Sequence, residues 1–164
     1  MRKAPWKKLA ILLLVVLNFG CDQISKGVVR KHVEPNDYIR VIGDQFILTN
    51  VENTGAMLGF GRQFSPLLKI ALFQMLPILV LVVLLFRILR KNHLNTWSTL
   101  AFASVIGGGI GNLVDRIAYG SVTDFFQIKL GLFKTGIFNM ADVSVTLGVL
   151  LLLSLTLTKE KPVL

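Results

Sequence analysis

Four apolar stretches, at about residues 9–29, 66–86, 97–114 and 137–157, each approach the roughly 20 residues that a helix needs to cross a bilayer. Few soluble folds use so many. Hydrophobic residues make up 53% of the 164 and charged residues only 16%, so composition agrees with the spacing. The chain reads as one integral membrane domain with four transmembrane helices, all-α in its spanning part.

The first stretch follows Arg2, Lys3, Lys7 and Lys8 and runs toward Cys21, a pattern shared with secretory signals. Asn18 and Phe19 fit poorly in the small-residue region before a cleavage site, so the stretch reads as a retained span. Cys21 is then a small apolar helix residue, and a lone cysteine forms neither an internal disulfide nor a cysteine metal cluster.

Four spans put both termini on one side. Basic residues are densest there, in the first eight positions and at Arg87, Arg90 and Lys91, with Lys159 and Lys161 near the other end. That density places both termini in the cytoplasm. The net charge of +9 thus reflects topology and contact with membrane lipids, and no nucleic-acid partner is expected.

Residues 31–65 are polar enough to lie outside the lipid. YIRVIGDQFILTNVEN reads as two short strands around a Gly43-Asp44 turn, and NTGAMLGFG after it as a close-packed loop. Residues 117–136 are too short an apolar run for a span and too apolar for a free loop, so they read as an interfacial segment resting on the bilayer.

This topology gathers polar residues at one depth. Asp22 and Lys26 end the first span, Asn112, Asp115 and Arg116 end the third, and Asn139 and Asp142 open the fourth. Ionisable groups inside a membrane are costly, which makes them candidates for function. Asn112 precedes Asp115 by three residues and Asn139 precedes Asp142 by three, a spacing that shares a helix face. Two such faces in opposition would bring two carboxylates together. They would then share a proton, one activating water while the other polarises a carbonyl, the chemistry of aspartic proteases.

Plainer readings exist for each residue. Asp115 with Arg116 can be a helix-end charge pair, Asp142 a cap, Asp22 with Lys26 a local ion pair, Asn53 a turn residue, and Asp44 and Asp124 loop or cap residues. His32 and His93 fall on opposite sides, and no metal-ligand motif or serine–base pair is evident, so neither a metal nor another cofactor is expected.

DQISK at 22–26, NTGA at 53–56, GGGIGNLVDR at 107–116, GSVTDF at 120–125 and FNMADVS at 138–144 occur in the order found in lipoprotein signal peptidases, and the chain resembles that family over nearly its whole length. The resemblance implies four transmembrane helices, a small extracytoplasmic β-sheet cradle and a short interfacial helix after the third span. It implies a metal-free aspartyl endopeptidase that cleaves diacylglyceryl-modified prolipoproteins just before the lipidated cysteine, in the bacterial cytoplasmic (inner) membrane. By the same likeness Asp115 and Asp142 are the catalytic pair, with Asp22, Lys26, Asn53, Asn112, Arg116 and Asn139 supporting the pair or binding substrate. Inhibition by cyclic peptide antibiotics is also implied, and the chain is separately expected to be a monomer. Met57 and Leu58 depart from the Ala and Phe that family members often carry after NxGA, which implies an altered pocket shape. Two alternatives carry different expectations. A small proton-coupled transporter would place carboxylates near the midplane, and a non-enzymatic scaffold would tolerate Asp-to-Asn changes.

Overall fold

The computed structural model describes residues 5–91 and 95–158, with side chains from residue 8 onward. Arg2, Lys3, His93, Lys159 and Lys161 and the Lys7 side chain lie outside the described residues. Among the described residues, four helices are long and apolar enough to cross a membrane: α1 (Pro5–His32), α2 (Pro66–Arg90), α3 (Thr96–Tyr119) and α4 (Met140–Leu157).

Their ends follow from local chemistry. Ser65 caps α2, with Pro66 in the first turn where its missing N–H is not needed. Asn95 caps α3 by accepting from Ser98 N at 2.6 Å, and Gly120 ends that helix with φ of 74°, a left-handed conformation that favours glycine. At α4 the Asn139 side chain accepts from Asp142 N while the Asp142 side chain accepts from Asn139 N, a reciprocal capping box. A π-helical turn over Ala71–Met75 interrupts α2.

Helix α3 is central, and its glycines explain how. A Cβ on Gly107 would lie 2.6 Å from Asn18 Cβ of α1, one on Gly108 2.5 Å from the Ala141 carbonyl of α4, and one on Gly109 2.7 Å from Leu81 Cδ2 of α2. Each residue advances about 100° around the axis, so three successive glycines face three different helices. Neighbouring helices, rather than an open substrate space, fill this bare surface. Gly108→Ala should therefore cost about 1–3 kcal/mol, because the obstacle is backbone. Gly20→Ala, with nothing within 4 Å, should be neutral or slightly stabilising. Thermal unfolding of both variants in detergent checks the contrast.

The extramembrane part is a four-stranded antiparallel sheet in the order β1 (Tyr38–Ile42), β2 (Phe46–Asn53), β3 (Val122–Leu130), β4 (Phe133–Lys134). The β1–β2 hairpin is the one expected from its sequence. The segment after α3 differs from expectation. Where a short interfacial helix was implied, residues 122–130 form a strand on β2 and residues 133–134 turn back against it. Pairing with β2 supplies backbone partners that a surface helix would not need, and Phe125 is buried against Val29 of α1 and Val33 just after it. The sheet thus packs on the end of α1. A bulge in β2 between Leu48 and Val51 interrupts the β2–β3 register opposite Phe125.

Candidate active site

Lys26 is fully buried, and its ammonium group meets three acceptors. Nζ lies 2.8 Å from Asp22 Oδ2, 3.0 Å from Asp115 Oδ2 and 2.8 Å from Asn112 Oδ1. An ammonium carries three N–H groups, so none is left over. Asp115, also fully buried, takes further donors: Gln23 Nε2 at 3.2 Å on Oδ1 and Thr123 N at 3.4 Å on Oδ2. Arg30 Nη2 sits 2.9 Å from Asp115 Oδ2 as an ion-pair contact not aligned for a hydrogen bond. Asp22 completes the cluster by accepting from Ala141 N at 2.8 Å, which satisfies one of the free N–H groups opening α4. Two cations and two carboxylates thus join α1, α3 and α4 in a charge-balanced cluster.

A second pair of carboxylates is held differently. Asp124 Oδ1 accepts from Asn139 Nδ2 at 2.6 Å, and its Oδ2 from Asn53 Nδ2 at 2.9 Å. Asp142 Oδ1 accepts from Asn112 Nδ2 at 2.8 Å, and its Oδ2 from Asn139 N at 3.2 Å. Asn139 therefore bridges the two aspartates through its side chain and its backbone. Among the described residues, neither carboxylate has a cation at ion-pair distance.

The three asparagines follow one scheme. Each side-chain oxygen is anchored on a fixed donor: Asn112 on Lys26 Nζ, Asn139 on Asp142 N, and Asn53 on Gly55 N. A donor on the oxygen settles which way each amide points. Each then presents its NH2 group to Asp124 or Asp142. Asp124 lies in β3, outside the spanning helices, and burial pushes its carboxyl up to about 6. The nearby Asp142 charge pushes the same way, whereas the bonds from Asn53 and Asn139 and the Lys26 charge oppose it.

Arg116 joins α3 to the loop after β2. Its guanidinium donates to the Gly55 carbonyl at 3.1 Å and lies 5.8 Å from the centre of the Phe73 ring. Gln74, on the π-helical turn of α2, donates to the Arg116 carbonyl at 3.2 Å. Gly55 has no room for a side chain, since a Cβ there would sit 2.6 Å from the Phe60 carbonyl. Met57 and Leu58, the positions that depart from the family pattern, are exposed on the rim of this loop.

All eight residues singled out from the sequence belong to this one network, but not in the arrangement expected. Asp115 does not face Asp142. It turns to α1 and β3 instead, and Asn112 links it to Asp142 through Lys26. The reason is helical geometry: residues three apart differ by about 60° in direction, enough for Asn112 to reach Asp142 while Asp115 reaches Lys26. The carboxylate beside Asp142 is Asp124, which the sequence read as a loop or cap residue. Its signal was an aspartate inside the otherwise apolar and β-favouring VTDFF, where an unpaired charge is costly. Gln23, Arg30, Glu52 and Thr123 also belong to the network and went unnoticed in the sequence. Among the described residues, no group of three His, Cys, Asp or Glu side chains is placed to hold a metal ion.

Comparisons with known proteins agree with this architecture. The family profile for Signal peptidase (SPase) II matches residues 14–158. A lipoprotein signal peptidase of Moorella thermoacetica is 34% identical over 143 residues, covering 86% of this chain and 88% of the relative. One from Pseudomonas aeruginosa is 34% identical over 151 residues, covering 92% of this chain and 86% of the relative. A bacterial membrane enzyme solved by the in meso method at 2.3 Å superposes with a TM-score of 0.79 at 28% identity, over 93% of this chain and 92% of that one. A family profile spanning most of the chain, relatives aligned over nearly their full length and a shared fold establish that this multi-pass membrane protein belongs to the signal peptidase II family of peptide-bond hydrolases.

Proposed function

We propose that the chain removes the signal peptide from diacylglyceryl-modified prolipoproteins, cleaving just before the lipidated cysteine, with Asp124 and Asp142 as the catalytic pair. The observation that carries this reading is the Asn139 bridge between two cation-free carboxylates, one of them with a raised pKa. The spanning helices and the basic residues at the cytoplasmic ends favour a bacterial cytoplasmic membrane with both termini inside. The acyl chains of the substrate then remain in the outer leaflet, and the scissile bond lies at the sheet–helix junction.

The chemistry needs one proton on the pair. The ionised carboxylate takes a proton from water as the water oxygen attacks the scissile carbonyl carbon. The protonated carboxyl donates to the carbonyl oxygen as negative charge grows there. Proton transfer to the amide nitrogen then lets the C–N bond break, freeing the amine of the lipidated cysteine. Asn53, Asn112 and Asn139 hold both carboxylates in place, so little reorganisation accompanies the reaction.

The test is a cleavage assay in lipid or detergent on lipidated and unlipidated precursor. Turnover of the lipidated form alone is expected, and failure to cleave it sinks the proposal. Its kcat/KM should fall as pH rises through about 6, where the pair of the free enzyme loses its shared proton. In Asn53→Ala, Asp124 loses a bond that favours its ionised form. The falling limb should then move to higher pH, and an unmoved limb would mean that Asp124 does not set it.

A further inference from the structure

Asp124 is held by amides on one side, and the residue before it is held on the other. Thr123 is fully buried, and its hydroxyl serves two partners: it accepts from Arg30 Nε at 2.7 Å and donates to Glu52 Oε1 at 2.7 Å. Its backbone N–H points to Asp115 Oδ2. Glu52 also takes the Ser121 hydroxyl, and Arg30 stacks on the Tyr119 ring at 4.3 Å from the centroid. The clamp thus draws on α1, α3 and β2 and closes on a single residue of β3.

Successive side chains of a strand point to opposite faces. Fixing Thr123 toward Arg30 and Glu52 therefore fixes Asp124 toward Asn53 and Asn139. The sheet ladder holds Thr123 against Glu52 and Asp124 against Val51, but the β2 bulge breaks the register immediately beyond, so the ladder supports Asp124 from one side. Here side-chain bonds reinforce the Glu52–Thr123 and Val51–Asp124 backbone pairs.

We propose that Thr123 is a positioning residue, whose hydroxyl and amide tie β3 to Arg30, Glu52 and Asp115 so that Asp124 meets Asp142 in reactive geometry. The buried ion cluster gains a role in this scheme: it is the anchor against which the strand is set. The inference rests on the reading of Asp124 and Asp142 as the catalytic pair.

Thr123→Val keeps the shape and removes the hydroxyl, leaving Arg30 Nε and Glu52 without it. A fall in kcat of about tenfold to a hundredfold is expected, the scale of a slight misplacement of a reacting group, with KM changed less than about twofold. The falling pH limb should move upward as Asp124 loses alignment with its two amide donors. Lower stability alone would scale the profile without moving it. Thr123→Ser, which restores the hydroxyl, should recover most of the rate. Arg30→Lys approaches from the other partner: it keeps the charge near Asp115, loses the Nε bond and should shift the limb the same way. An unmoved limb with near-normal kcat in folded Thr123→Val or Arg30→Lys overturns the proposal, as does a Thr123→Ser variant no better than Thr123→Val. Full turnover in Asp124→Asn would instead overturn the underlying catalytic pair, so the two failures are distinct.

Discussion

Asparagine in place of Asp124 or Asp142 is expected to leave a folded, inserted protein and to cut turnover of lipidated precursor about 10³-fold or more. The replacement preserves shape, and each carboxylate makes only amide bonds, so no cation is stranded. What is lost is the ability to carry one proton and one negative charge on the pair, which both the attack and the departure need. The comparison that matters is with Asp115→Asn. Single-turnover rates per folded molecule should be much higher in that variant than in either of the others. Cleavage retained by Asp124→Asn, with none from folded Asp115→Asn, would return the catalytic role to Asp115.

Asp115→Asn should instead show its effect in stability, with a loss of about 3–5 kcal/mol. Lys26 is fully buried and has no water to turn to when one of its two carboxylate partners is neutralised. Arg30 loses its ion-pair partner in the same step. Lys26→Met in the Asp115→Asn background should be better tolerated than Asp115→Asn alone, because it removes the stranded cation. Apparent unfolding temperatures in one detergent, with the four proteins of the cycle side by side, measure this coupling. Strictly additive losses would show that the cluster does not act as a unit.

The contrast between the two aspartates shows where the sequence was legible. The spans were visible because about twenty largely apolar residues have few other uses, and the β1–β2 hairpin because its turn and β-favouring residues are local. Strand β3 was not visible. VTDFFQIKL is a strand because of a partner some 75 residues earlier in the chain, and its β-favouring residues suit an apolar surface segment equally well. Asp124 was hidden for the same reason.

The repeated Asn-x-x-Asp spacing arises from two different geometries. In α3 it is a mid-helix spacing that lets Asn112 reach Asp142 and Asp115 reach Lys26. At α4 it is a capping box, with Asn139 lying before the helix rather than on its face. One spacing, two unrelated geometries. Depth was the sounder clue, since the residues it grouped share one hydrogen-bonded network even though their pairing differs.

The ion cluster also bears on how the protein is made. Asp22, Lys26 and Arg30 enter the membrane with the first helix, whereas Asp115 is synthesised nearly ninety residues later, in the third. Until then the cluster has both of its cations, Lys26 and Arg30, but only one of its two carboxylates, Asp22. A nascent chain halted after its second span is thus one negative charge short, and the arrival of α3 both supplies that charge and closes the helix packing. Assembly in the bilayer should therefore be completed late, with the first helix ready to be drawn back or held by the insertion machinery until the third comes to meet it.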